Sequence, residues 1–183
     1  MNTSDTGERD KDTLPEIAPP GEVPHGATET VFSSNNPSLD GLNRLHQYCW
    51  MVVREPRHAA MTFGLAHCAM ETICRWRPDN GTYLSALALS QYRIGKYREA
   101  LDTLTKAQEF IAGTPMSLAF QAMARFHLGD NEGTPSRRAS LALLRRLQQV
   151  VRLPPWNQDV EAAGFLREAQ SLITTKALSE SQA

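Results

Sequence analysis

Histidine and cysteine side chains give this 183-residue chain its clearest capacity for chemistry. His67 and Cys68 are adjacent, so on a helix their side chains point about 100° apart and cannot form a nucleophile–base pair. His46 and Cys49 are three residues apart and His67 and Glu71 four, so each pair shares one helical face. A metal site needs three or four converging ligands, and no such cluster is visible. We predict no metal and no cofactor, with a regulatory thiol or metal site as the alternative.

Four arginines form a second feature that could bind a charged ligand. Arg137, Arg138, Arg145 and Arg146 recur at helical spacing. Surfaces that bind nucleic acid usually combine such charges with aromatic side chains, and none are interleaved here. We therefore predict a solvated outer face and disfavour nucleic acid as a partner, with weak nucleic-acid binding through these arginines as the alternative.

Motifs and composition argue against a common enzyme and against a membrane protein. The sequence contains no GxSxG or HExxH motif and no kinase HRD or DFG motif. Its three cysteines form no CxxC pair, its N-terminus is polar and acidic, and no apolar run is long enough to span a bilayer. These features predict a non-catalytic cytoplasmic protein with reduced thiols and no membrane partner.

Composition divides the chain near residue 38. Residues 1–38 contain five prolines and few large apolar side chains, so they cannot bury enough surface to offset the entropy lost on ordering. The first 40 residues carry eight acidic and two basic side chains, whereas the remainder carries 12 acidic and 17 basic ones. We predict a disordered acidic arm at 1–38, which serves as a solubilising tail or folds back transiently on the basic body.

The rest of the chain is organised by an imperfect repeat of 34 residues, a period typical of stacked helical hairpins. Six residues recur at this spacing: Leu84, Ala88, Leu89, Tyr92, Ile94 and Gly95 correspond to Leu118, Ala122, Met123, Phe126, Leu128 and Gly129. Apolar stripes and turn signals predict an all-α domain from 39 to 178. The predicted helices span about 39–55, 57–77, 82–94, 98–112, 114–128, 134–153 and 157–178.

This pattern resembles the tetratricopeptide repeat family, in which small residues lie where helices approach closely and a glycine occupies the turn. The matching residues are Ala66 in the first repeat, Ala88, Gly95, Ala100 and Ala107 in the second, and Ala122 and Gly129 in the third. The nearest likeness is to divergent bacterial repeats, including those that follow serine/threonine kinase domains, although no kinase signature occurs here. The resemblance implies a short α-solenoid of three hairpins, at about 42–78, 80–113 and 114–153, with a capping helix at 157–178.

In stacks of this kind the first helix of each hairpin lines a concave binding face. Equivalent side chains would then form one ladder of Trp50, Leu89 and Met123 and a second of Val53, Tyr92 and Phe126, with Arg54, Arg93 and His127 along one edge. Such a groove is apolar with a basic edge, which suits a peptide or amphipathic helix with acidic flanks. The alternative for Leu89, Tyr92 and Phe126 is simple packing between helices.

We therefore predict a non-catalytic scaffold or adaptor that binds another protein. The predicted partner-binding residues are Trp50, Leu89, Tyr92, Arg93, Met123, Phe126 and His127. Three repeats are close to the minimum for a stable stack, so self-association through a repeat end is a further expectation.

Overall fold

The computed structural model describes residues 37–129 and 135–180, so all but the last two residues of the predicted arm lie outside the described part of the chain. The described residues are all-helical and include no strand, which confirms the predicted fold class. Seven α-helices and one 3-10 helix make up this part: α1 (Leu39–Arg54), α2 (Ala60–Trp76), α3 (Gly81–Arg93), α4 (Tyr97–Ala107), α5 (Pro115–Leu128), α6 (Pro135–Val150), the 3-10 helix (Trp156–Gln158) and α7 (Val160–Glu180). Among them, no helix has the length and apolar character needed to cross a bilayer.

Local capping explains why several helices begin where they do. The Asn80 side chain accepts a hydrogen bond from the backbone N–H of Tyr83 and opens α3. Thr114 and Ser117 form a reciprocal capping box at the start of α5, with Pro115 in the first turn. The predicted helix at 114–128 thus begins at a threonine cap followed by proline, residue types that favour a helix start.

Two helices end earlier than their apolar stripes predict. α4 ends at Ala107 and α6 at Val150, rather than near 112 and 153. Beyond Ala107, the backbone N–H of Glu109 donates to Lys106 and that of Phe110 donates to Ala107, three residues back. These bonds tighten the chain into a turn. An apolar stripe records which side faces the core and does not mark where helical hydrogen bonding ends.

The turn after α3 requires a glycine. Gly95 has φ of 83°, its N–H donates to the carbonyl of Tyr92, and the N–H of Lys96 donates to that of Gln91. This pattern is a Schellman motif, which places its glycine in the left-handed region. Gly129 is the sequence equivalent of Gly95, yet its φ is −92° and its conformation extended. The two glycines are therefore equivalent in the sequence repeat but differ in backbone conformation.

Helix α3 lies at the centre of the described fold. It contacts α2 and α4, its neighbours in the chain, and also α1 and α5. Eleven of its 13 residues are buried, including Ala88. Alanines approach without leaving voids, and the other alanines with a predicted structural role are also buried: Ala66, Ala100, Ala107 and Ala122. The terminal helix α7 packs against α5 and α6.

Candidate functional site

The first half of α7 reaches the side of α1, α3 and α5 on which the sequence predicts an open groove. The ring of Phe165 lies edge-on to Trp50 of α1 and to Phe120 of α5, with centroids 6.3 and 5.6 Å apart. One carboxylate oxygen of Glu161 accepts hydrogen bonds from Trp50 Nε1 and Arg54 Nη1, both at 3.2 Å. Helix α7 is thus bound to this face by aromatic and charged contacts together.

Arg93 connects α7 to two other helices. Its Nη2 donates to Oε2 of Glu168 at 3.0 Å, and its Nη1 donates to the other oxygen of the same carboxylate. Its Nε donates to the carbonyl of Val53 at 2.8 Å and its Nη2 to that of Arg54 at 3.3 Å, so it also closes the C-terminal end of α1. The side chain is 5 % exposed and its guanidinium lies 5.1 Å from the Phe120 ring centroid. The sequence predicts Arg93 at the edge of a groove, whereas it is buried.

The predicted groove residues do not line an open groove in the described structure. Leu89 and Met123 are 0 % exposed, Phe126 is 2 % and Tyr92 is 8 % exposed. The Phe126 ring faces the guanidinium of Arg137 on α6, 3.6 Å from the ring centroid. The expectation of exposed side chains at these positions is therefore wrong, because adjacent helices cover them. Of the predicted apolar set, Trp50 keeps partial exposure.

Tyr92 and His127 belong to a cluster of rings between α3, α4 and α5. The ring of Tyr97 stacks on His127 with centroids 4.2 Å apart, and the Tyr92 hydroxyl lies 3.4 Å from His127 Nε2. Burial, followed by the nearby Glu168 carboxylate, raises the pKa of Tyr92 well above its usual range. The hydroxyl thus stays protonated at physiological pH. The ring cluster packs α3, α4 and α5 against one another.

Two cavities adjoin the first half of α7, and Glu161 and Phe165 line both. The first, which we name the aromatic cavity, has a volume of about 350 Å³. Its lining residues are His46, Trp50, Thr82, Ser85, Ile111, Thr114, Pro115, Met116, Trp156, Asp159, Glu161, Ala162 and Phe165. The second has a volume of about 830 Å³ and lies beside the C-terminal ends of α1 and α3, with Arg54, Arg57, Tyr92, Met123 and Glu168 among its lining residues.

Sequence reasoning missed a buried serine–histidine pair. Ser90 Oγ lies 3.1 Å from His67 Nδ1, and Lys96 Nζ and a Glu71 oxygen lie 3.2 and 3.4 Å from His67 Nε2. Ser90 donates its own proton to the carbonyl of Leu87 at 2.6 Å, so the imidazole donates from Nδ1 and accepts the Lys96 proton at Nε2. The serine proton is committed to backbone, and His67 is therefore not positioned as its general base. No local signal links His67 to a serine 23 residues away.

Burial also perturbs the ionisation of this histidine. Desolvation lowers the pKa of His67, Lys96 lowers it further, and the carboxylate of Glu71 opposes both. The neutral imidazole is therefore the form that the folded protein favours. Its role in this network is to tie α2 to α3.

The cysteines, the possible metal ligands and the arginines of α6 do not converge on one site. Burial raises the thiol pKa of Cys49 and Cys74 to about 12, and only Cys68 of the three is exposed. Within residues 37–129 and 135–180, no group of three histidine, cysteine or acidic side chains could hold a metal ion. Arg137 is buried against Phe126, so the four arginines of α6 do not share one solvated face as predicted.

Comparisons with models of known protein families, with curated proteins and with solved structures gave no match for this chain. Its function is therefore inferred from its own residues and their contacts.

Proposed function

We propose that this protein is a non-catalytic adaptor, built from helical hairpins that resemble tetratricopeptide repeats, and that it binds an amphipathic helix of a partner protein. The recognition face is the side of α1, α3 and α5 that α7 contacts. The supporting observation is the paired Glu168–Arg93 contact, which joins a partly buried carboxylate of α7 to a buried guanidinium on α3. A face that accommodates one acidic amphipathic helix has the chemistry to accept another.

The composition of α7 indicates what the partner helix contains. Phe165, Ala169 and Ile173 follow at intervals of four and are buried. Glu161 and Glu168 are seven residues apart, or about two helical turns, and both meet basic or N–H donors of the face. The partner is therefore a helix with a short apolar stripe flanked by two acids. The α7 helix of a second copy meets the same requirement, which accounts for self-association as an alternative outcome.

A non-catalytic role agrees with the state of the nucleophiles. The hydroxyl of Ser90 donates to a backbone carbonyl, and the Cys49 and Cys74 thiols are held protonated by burial. Cys68 is exposed on α2. Thiol-specific labelling of the folded protein should modify Cys68 first, and rapid modification of Cys49 or Cys74 would favour the thiol-based alternative.

The proposal is tested by offering the face a helix in trans. A fluorescent peptide of residues 157–180 competes with the tethered α7, whose effective concentration is on the order of millimolar. The peptide should therefore bind the wild-type chain weakly. The full chain with Phe165→Ala and Glu168→Ala holds its own α7 less firmly, and we expect at least about tenfold tighter binding by fluorescence anisotropy.

Two controls separate recognition from non-specific attachment. A peptide that carries the same Phe165→Ala and Glu168→Ala changes should not bind, and the full chain with Val160→Ala, an exposed position on α7, should behave as wild type. The proposal is contradicted if the double variant, still helical by circular dichroism, ignores the unmodified peptide. Gel filtration in parallel reports whether the double variant exchanges α7 between copies.

A further inference from the structure

The aromatic cavity has features that helix binding does not use. It lies among the middle of α1, the first turns of α3 and α5, and the segment that leads into α7. We propose that this cavity is a binding site for a small, uncharged aromatic molecule of one or two rings. This site goes beyond the proposed adaptor function and does not depend on it.

The walls of the cavity suit a flat apolar ring. Trp50, Trp156 and Phe165 provide aromatic surface, and Ile111 and Met116 provide aliphatic surface. Aromatic rings prefer edge-on or offset contacts with one another, which walls from several elements can supply. A volume of about 350 Å³ is at the small end of the range for ligand sites. It therefore suits a single or fused ring.

Three polar side chains of the cavity wall present no charge to a ligand. The hydroxyl of Ser85 donates to the carbonyl of Gly81, and Thr114 is engaged in the capping box of α5. The ring of His46 lies against Tyr83, with centroids 5.0 Å apart, and its Nε2 is shielded from solvent. Burial lowers the pKa of His46, so the ring at the wall is uncharged.

The charges at the cavity exclude an anionic ligand. No lysine or arginine lines it. Its two carboxylates already have partners: Asp159 accepts from the backbone N–H groups of Glu161 and Ala162, and Glu161 accepts from Trp50 and Arg54. An anion would meet two carboxylates and no cation of the cavity wall, whereas a neutral ring meets no electrostatic penalty.

The test uses indole as the probe, a neutral fused ring with one N–H donor. Trp50 and Trp156 line the cavity, whereas Trp76 lies elsewhere and is 43 % exposed, so the three tryptophan N–H signals in an NMR titration of the full chain form an internal comparison. Saturable shifts of the Trp50 and Trp156 signals, with little change at Trp76, are expected. Anionic indole-3-acetate should bind at least about tenfold more weakly.

Variants locate the site. Thr82 is exposed at the cavity wall, so Thr82→Phe places a ring over the opening and should weaken indole binding at least about tenfold. Thr105→Phe adds the same ring at an exposed position of α4 outside the cavity lining and should have no effect. No saturable binding, equal shifts at Trp76, undiminished binding by Thr82→Phe, or equal affinities for indole and indole-3-acetate would each overturn the assignment.

Discussion

Helices α3 and α7 both pack against α5, but they are held by different interactions. α3 buries 11 of its 13 residues, and alanines such as Ala86 and Ala88 let its neighbours approach without voids. α7 buries Phe165, Ala169 and Ile173 and forms two ion pairs with arginines of α1 and α3. Two cavities lie beside its first half. The comparison teaches that apolar packing holds the centre of the fold together, whereas its last helix is held largely by polar contacts and leaves cavities beside it.

The difference in packing predicts that the helices around α3 unfold together, whereas α7 unfolds separately. Dispersion contacts around α3 are lost together, because each helix around it is also part of the same core. Helix α7 is a terminal element with cavities beside its first half, so we expect it to open as a separate unit while the other helices stay folded.

The largest expected effect is a cavity in the centre. Leu89→Ala, at a fully buried position of α3, should lower the free energy of unfolding of the whole chain by about 3 kcal/mol, measured by urea denaturation. Ile173→Ala, at a position of α7 buried to the same degree, should instead accelerate hydrogen exchange mainly in α7. Leu141→Ala, at an exposed position, serves as control. Equal acceleration across all helices in Ile173→Ala would refute a separable α7.

The two ion pairs of α7 should differ in strength. Arg93→Ala leaves Glu168 without its buried partner and also removes donors to the carbonyls of Val53 and Arg54. We expect a loss of about 3 kcal/mol in the free energy of unfolding. Arg54→Ala breaks the pair with Glu161, whose side chains are 44 % and 39 % exposed, and should cost less than about 1 kcal/mol. If the two variants lost similar free energies of unfolding, burial would not be the reason for a difference in strength between the two ion pairs.

The turn that ends α3 supplies a smaller effect. Gly95→Ala forces a side chain onto a backbone with φ of 83° and should destabilise the protein by about 1 kcal/mol. Gly64→Ala is the matched control, because a Cβ at this helical position of α2 meets nothing within 4 Å. It should stabilise the protein by about 0.5–1 kcal/mol. Thermal denaturation of both variants distinguishes turn geometry from a general effect of replacing glycine.

The centre should also respond to pH through His67, which bonds to Ser90 of α3. The folded state lowers the pKa of this histidine from its ordinary value of 6.5, so the unfolded chain binds the proton more readily. Stability from the neutral imidazole is therefore complete above about pH 6.5 and falls as the pH drops through the folded-state pKa. The His67→Asn variant should lose less stability than the wild type between pH 7 and 5 in urea titrations. Parallel losses in the two proteins would remove His67 as the cause.

Features that depend on neighbouring residues were predictable. Capping at Thr114 and Pro115 and the glycine turn at Gly95 operate over a few residues, and the glycine turn appears in the structure as predicted. Gly129 shows the limit of such reasoning. It repeats Gly95 in sequence but has negative φ and an extended conformation.

The candidate site depended on contacts between distant residues. Glu161 meets Trp50 across 111 residues of chain, and Glu168 meets Arg93 across 75. Periodicity identifies the apolar side of a helix but not the element that covers it, so a groove side chain and a core side chain have the same sequence signature. Leu89 and Met123 fit an open surface by periodicity, whereas the structure places both in the core.

From its sequence alone, the protein's helical class, its approximate helix positions and the buried side of each helix follow, because hydrogen bonding, capping and apolar periodicity act within a few turns. Only the tertiary structure decides that α7 lies on the face formed by α1, α3 and α5, that Arg93 is buried against Glu168, and that an aromatic cavity remains beside them. Those outcomes depend on which surfaces fit together and on which charges find a partner once water is excluded.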